Sequence, residues 1–356
     1  MPHKWDPECP EPRGLVSPVR VDPAGVTGPT KAQAAGPLWR RTSWGLHVRS
    51  ATPTDVPEQR ILEQSMRLPT GGVVTGWAGC RLHRVGLLDG LATDGATQLP
   101  VPLAVGVSGR IRGDTRIVRL HEALAGADRT GRYGIPCAVI ERAAFDAMRL
   151  APDVREATVV VDMVAAAAKS SPERMQAYVD SHPGFRRIRI ARAALELADE
   201  HSRSPNETRL RLVWVLDAGL PEPWANCPIH DRNGHLLGVA DLLDPVAGMV
   251  AEFDGADHLG RRRHTRDIGK DDAFRRVGLE VARVTGTDLP DSGLVVDRLL
   301  ATRQRALFEP EVDRRWIART CGFSAEGRLQ EREAMRELHE FWENRPPPDI
   351  EEIRRL

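Results

Sequence analysis

A run of carboxylates set inside apolar sequence leaves this chain the least freedom. From Asp241 to His258 the residues read Asp-Leu-Leu-Asp-Pro-Val-Ala-Gly-Met-Val-Ala-Glu-Phe-Asp-Gly-Ala-Asp-His. Leu236 to Leu243 and Met249 to Phe253 are apolar runs around an Asp-Pro-Val-Ala-Gly segment, the pattern of two short strands joined by a turn. Side chains two apart on a strand share a face, so Glu252 and Asp254 should point the same way, with Val250 behind them. If Asp241 arrives from the neighbouring strand near the same end, three carboxylates converge. Like charges about 4 Å apart repel by roughly 4 kcal/mol at an effective dielectric of about 20. Such a cluster needs protons or a cation, and a divalent metal is the simplest answer.

The chain has 356 residues, enough for two or more domains that each bury a core. Its 41% hydrophobic and 28% charged residues are those of a globular protein and exclude wholesale disorder. The formal net charge is zero, so a nucleic-acid surface has to be a local patch. Positive charge is nearly all arginine, with lysine only at Lys4, Lys31, Lys169 and Lys270. Cys9, Cys80, Cys137, Cys227 and Cys321 are odd in number, scattered and never in a Cys-x-x-Cys pair, which argues against a disulfide framework and a zinc ribbon. The N-terminus lacks an apolar signal core, and Val159 to Ala168, the longest apolar run, is interrupted by Asp162 and reads as a buried strand or helix. The expectation is a cytoplasmic protein with no membrane contact.

Residues 1–36 are rich in Pro and Gly and read as an irregular arm. Arg40 and Arg41 then interleave with Trp39 and Trp44 ahead of Leu46-His47-Val48. This suits either a phosphate-contacting wing or a β-hairpin packed on the next domain. From Gln59 to about Ala168 helical and strand patterns alternate as in an α/β scaffold, and His83 and His121 read as polar surface residues. Phe185 to His201 has helical spacing, with Arg186, Arg187, Arg189 and Arg192 on what reads as a solvated face or a phosphate contact. Ser204-Pro205-Asn206-Glu207 is a full helix-start signal, with Ser at N-cap, Pro at the first helical position and Glu three residues on. Glu207 therefore has a capping role available without any chemistry.

Asp231-Arg232-Asn233-Gly234 marks a tight hairpin turn. His230, Asn233 and His235 are crowded into it, so they cannot be spread over the two strands and helix of a His-Asn-His nuclease. Beyond His258, Arg261, Arg262, Arg263 and Arg266 concentrate positive charge before a helix that carries Lys270. An acid cluster beside a basic patch is the polarity needed to hold a phosphodiester while its backbone is gripped. Gly278 to Thr285 reads as a further strand, Val295 to Phe308 as a helix, and the tail from about Glu309 as charged and helical.

The order and spacing of Ser204-Pro205-Asn206-Glu207-Thr208-Arg209-Leu210-Arg211, Gly219-Leu220-Pro221, Asp241, Glu252-Phe253-Asp254-Gly255, His258, Asp267-Ile268-Gly269-Lys270-Asp271 and Val281-Ala282-Arg283-Val284-Thr285 carry a resemblance. This part resembles the very-short-patch-repair-like branch of the PD-(D/E)XK nuclease superfamily. Upstream, Trp39-Arg40-Arg41-Thr42 through Thr75-Gly76-Trp77-Ala78 resembles the region related to AbiEi-like antitoxins. The resemblance implies an α/β protein: an irregular arm over 1–36, an AbiEi-like α/β region with a winged-helix remnant over 37–170, a restriction-endonuclease-like mixed sheet flanked by helices over 171–300, and a helical tail over 301–356. It implies Mg²⁺- or Mn²⁺-dependent hydrolysis of DNA in repair or defence, with Asp241 and Glu252 as principal metal ligands and Glu207 reaching the metal or its water shell. Asp254 completes the carboxylates, His258 transfers a proton or steadies the leaving phosphate, and Arg261, Arg262, Arg263, Arg266, Arg40 and Arg41 hold DNA. The pattern expects a lysine two residues after the second acid, where this chain has Asp254; Lys270 would either reach inward in its place or remain a solvated helix charge. The alternative function is a non-catalytic DNA-binding regulator, or type IV antitoxin-like protein, on the same scaffold.

Overall fold

The structure, a computed structural model, describes residues 14–254, 261–319, 322 and 324–343, with the side chains of 261–268 and 338–343 excepted. The first unit is a three-stranded antiparallel sheet of β1 (Val19–Arg20), β2 (Trp39–Ser43) and β3 (Leu46–Arg49), in the order β1-β3-β2, with the short helix α1 (Lys31–Ala34). The arm expected to be irregular thus contributes a strand and a helix. What orders it is local side-chain chemistry, invisible to hydrophobic periodicity: Thr30 and Gln33 form a reciprocal capping box, and Asp22 accepts from the N–H groups of Ala24, Val26 and Thr27. The β2–β3 hairpin packs on the chain that follows. Arg40 is bidentate on Glu63 of α2 (Pro57–Ser65), at 2.6 and 2.9 Å.

The second unit centres on a mixed sheet of β4 (Val73–Val74), β5 (Val101–Ala104), β6 (Ile117–Leu120), β7 (Arg129–Arg132) and β8 (Ile135–Ala138), in the order β6-β5-β4-β8-β7. Four helices pack with α3 (Gly76–Leu82) in its main core: α4 (Ile140–Leu150), α5 (Val154–Ala166), α6 (Pro172–Asp180) and α7 (Ile188–Glu196). The apolar run at Val159 is therefore a buried helix. Met175, Val179, Ile188, Ala191 and Ala194 belong to the same core as Phe145 and Val161, so the break expected at residue 170 falls inside one packed unit. A polar turn at Lys169 marks a helix end there, not a domain end.

The third unit begins at α8 (Pro205–Leu212), capped by Ser204 and prolonged by a π-helical turn over Val213–Asp217. Its five-stranded sheet comprises β9 (Trp224–Asp231), β10 (Leu236–Asp244), β11 (Met249–Asp254), β12 (Glu280–Thr285) and β13 (Trp316–Ala318), in the order β12-β11-β10-β9-β13. Only β11 and β12 run parallel. The connection between them carries α9 (Arg261–Arg276), whose Phe274 is buried against one face with Val250 and Leu279. On the other face, Leu210, Trp214, Val295 and Leu299 of α8, the π turn and α10 (Ser292–Arg305) cover Leu242, Ala251 and Ala282. The Asn-Gly turn closes with Gly234 at φ +85°, a left-handed angle that glycine adopts without strain. The tail adds the edge strand β13 and then α11 (Ala325–Glu343). Among the described residues, no helix is long and apolar enough to cross a membrane.

One buried group ties the second unit to the third. Asp162 of α5 has no exposed surface and accepts from the Asp199 N–H at 2.8 Å, Thr208 Oγ1 at 2.9 Å and Arg211 Nη2 at 3.1 Å. Deleting one member of a buried ionic set strands the others away from water. Asp162→Ala should destabilise the chain by about 3 kcal/mol or more, read from urea unfolding; a shift below about 1 kcal/mol would show that α8 is held by apolar packing alone.

Candidate functional site

The register of β10 on β11 runs through Leu242–Ala251, Leu243–Val250 and Asp244–Met249. Continued by one residue, it sets Asp241 opposite Glu252, where Asp241 Oδ2 accepts from the Phe253 N–H at 2.8 Å. Such opposed residues have Cβ atoms about 5 Å apart. The row extends both ways: Glu252 pairs with Arg283 of β12, and Asn226 falls opposite Asp241 between the pairs Ala225–Leu242 and Cys227–Ala240. Four adjacent strands thus contribute Asn226, Asp241, Glu252 and Arg283 to one polar row. The row before it is Ala225, Leu242, Ala251 and Ala282, and the row after it holds Cys227, Ala240, Phe253 and Val284.

Glu252 is only 4% exposed. Its Oε2 receives the Lys270 ammonium, which also donates to the Val239 carbonyl at 3.2 Å. Its Oε1 is buried and has no hydrogen-bond partner among the described residues. Lys270 therefore does reach inward. It can because β10 has no side chain at Gly238: a Cβ there would stand 2.6 Å from Lys270 Cγ and 3.0 Å from Phe274 Cζ. The lysine stem lies directly on the strand backbone.

Burial, then the neighbouring Asp241 charge, push Glu252 up to about 8 despite Lys270. Burial also raises Asp241 to about 6, with the charges of Glu207 and Asp254 acting in the same direction and the Phe253 N–H and Lys270 opposing. Both carboxyls thus sit where negative charge is under-compensated, the physical condition for a cation site.

Glu207 does two things at once. As the third residue of α8 it accepts from the Arg203 N–H at 2.9 Å, beside the Ser204 cap, and it accepts from the Asn226 side-chain amide at 2.6 Å. Asn226, at φ +48°, also donates to the His201 carbonyl at 2.9 Å. Its left-handed backbone interrupts the strand alternation, so Ala225 packs toward α8 and α10 while Cys227 packs toward α9. Asp254 is taken up differently. Arg283 Nη1 holds both its oxygens, at 2.6 and 2.7 Å, while Arg283 Nε binds Asp271 of α9 at 2.7 Å.

Of the other expected residues, His258 lies outside the described residues. Arg261, Arg262, Arg263 and Arg266 fall in the first turns of α9. Arg40 is committed to Glu63, and Arg41 is exposed on β2. His83, expected at the surface, is buried, with Nε2 2.8 Å from the Ala138 carbonyl. Among the described residues, no group of three or more His, Cys, Asp and Glu side chains is spaced to hold one metal ion. The expected trio thus resolves into an opposed pair, Asp241 and Glu252, with Glu207 bound to Asn226 close enough to raise Asp241.

Asn226 and Gly238 are parts of the site not singled out by sequence, and Asp271 and Arg283, quoted there only for the resemblance, were given no role. An asparagine in an otherwise apolar strand is a signal that was available for the first; the others need the register and the helix placement. No protein-family model, curated protein or solved structure matches the chain.

The raised carboxyls make stability depend on pH. Between its ordinary value of 4.5 and about 8, Glu252 keeps its proton in the folded chain and loses it when unfolded. The unfolded state then binds fewer protons, so stability falls as pH rises through that window. Urea unfolding of wild type and Glu252→Gln at about pH 5 and about pH 8 should show a smaller decline for the variant; parallel declines would mean that Glu252 ionises normally.

Proposed function

We propose that the chain is a metal-dependent DNA endonuclease of the PD-(D/E)XK type, similar to very-short-patch-repair enzymes. The observation that carries this reading is the opposed pair Asp241 and Glu252, with a buried oxygen of Glu252 that lacks a partner among the described residues and a lysine ammonium on its other oxygen. The residues fit Mg²⁺ or Mn²⁺: Mg²⁺ is commonly held by one or two carboxylates, keeping water in its other positions. Asp241 and Glu252 would hold it, and Glu207 would contribute through the water shell. When bound, such an ion supplies Lewis acidity toward phosphate oxygens and toward water.

Each side chain then has a task of its own. Lys270 takes the place of the lysine expected at position 254: from Glu252 its ammonium can turn to a phosphate oxygen or orient a water for attack. Asp254, held by Arg283, would fix the strand end instead of ligating. His258 would return a proton to the leaving oxygen, and the arginines opening α9 would hold flanking phosphates.

A second reading, a DNA-binding regulator of type IV antitoxin kind without catalysis, draws on the same contact: the Lys270 ammonium already occupies one oxygen of Glu252. A nicking assay on supercoiled DNA with Mg²⁺ or Mn²⁺ separates the two. Wild type should nick; Asp241→Ala and Glu252→Gln should lose about a hundredfold or more, and Lys270→Ala about tenfold or more, while Asp254→Asn should lose little. Equal nicking by wild type and Asp241→Ala would remove the endonuclease reading, and DNA binding without any nicking would favour the regulator.

A further inference from the structure

A cavity of about 500 Å³ in the second unit gathers positive charge from three separate connections. Arg84 follows α3, Arg132 lies on the β7–β8 hairpin, and Lys169 follows α5. Arg332 of α11 stands behind them, bonded to the Ala168 carbonyl at 3.0 Å. In the described lining Glu141 is the one carboxylate, and it accepts from Ser170 Oγ at 2.8 Å. Lys169 is held below its ordinary value by burial and then by Arg332, Arg84 and Arg132. Lys169 and the three guanidiniums therefore repel one another.

Two further features face the same space. Helix α4 begins at its wall, with Val139 at N-cap supplying no side-chain acceptor, so its first N–H groups and its dipole favour an anion there. His83 is pushed down to about 4, mainly by burial, and stays neutral; with Nε2 engaged by the Ala138 carbonyl, its Nδ1 accepts from Arg132 Nε at 3.3 Å. A neutral imidazole thus orients one guanidinium. The backbone shows the same concentration: Arg84, Tyr133 and Ala168, three of the six non-glycine residues at positive φ among the described residues, all line this cavity. The C-terminal ends of α3 and α5 account for a cation at each. They do not account for Arg132 on a hairpin or for its neutral histidine support.

We infer that this cavity binds the phosphate group of a small phosphorylated ligand, of pyrophosphate or mononucleotide size, independently of the carboxylate pair. Its volume is that of a small-ligand pocket and not of a duplex groove. Arg132, Lys169 and Arg84 would contact phosphate oxygens, and the start of α4 would supply backbone donors.

The test is calorimetric titration of the full chain with pyrophosphate in low salt and EDTA, so that no divalent ion at Asp241 and Glu252 contributes. Wild type should bind one equivalent. Arg132→Gln and Lys169→Gln should each weaken binding about tenfold or more, Lys169→Arg should retain it, and Arg20→Gln, the same charge change on the exposed position of β1, should leave it unchanged. No binding by wild type, or equal binding by Arg132→Gln, Lys169→Gln and wild type, would overturn the inference. A parallel titration with a 5′-phosphorylated single-stranded oligonucleotide distinguishes the occupant. If it displaces pyrophosphate and binds far more tightly, with that tightness lost in Lys169→Gln, the cavity belongs to a nucleic-acid backbone and the small-ligand assignment is wrong.

Discussion

Two carboxylates facing each other across adjacent buried strands cannot both be ionised without help, and much of the third unit is arranged around that conflict. Opposed like charges on a sheet destabilise it. Here the Phe253 N–H engages Asp241, the Lys270 ammonium engages Glu252, and Arg283 binds Asp254. The compensation is incomplete, since both carboxyls stay shifted toward their protonated forms and Glu252 Oε1 has no partner among the described residues. Helix α9 makes the partial compensation possible: Phe274 anchors it in the core, and Gly238 lets the lysine stem approach. A sheet built only for stability would carry an apolar row here, as it does in the rows on either side.

The second unit reaches the site through α8. Asp162, buried in α5, holds Thr208 and Arg211, both on α8, whose first turn carries Glu207. Glu207 then bonds to Asn226, which stands in the row with a left-handed backbone. A strained backbone kept by a side-chain bond to a capped helix is an arrangement found where a site has to be rigid. The tail is tied in as well: Arg174 of α6 pairs with Glu326 and Glu333 of α11, and Glu200 accepts from the Ala325 N–H.

How much of this could be read from the residues depended on whether the signal was local. The strands around Asp241 and Glu252, the Ser204 cap and the Asn-Gly turn are written in neighbouring residues, and all three are present. The approach of Lys270 to Glu252 spans 18 positions and rests on Gly238, so sequence could pose it only as one of two outcomes. Arg283 was out of reach for the same reason: its link to Glu252 and Asp254 exists only once β12 pairs in parallel with β11. The misplaced domain break came from reading a polar helix end at Lys169 as a linker, although Met175 and Ile188 continue the core beyond it. His83 was misjudged because an isolated histidine carries no burial signal; its cover comes from β8, 55 positions away.

The central claim is that Asp241 and Glu252 jointly form a cation site whose charge the chain leaves under-compensated. Titration of Mn²⁺ into the full chain, followed by electron paramagnetic resonance at about pH 8 where both carboxyls can ionise, tests it most directly. One bound ion per chain is expected, with binding weakened at least about tenfold in both Asp241→Asn and Glu252→Gln. Undiminished binding in both variants, or none in the wild type, would contradict it.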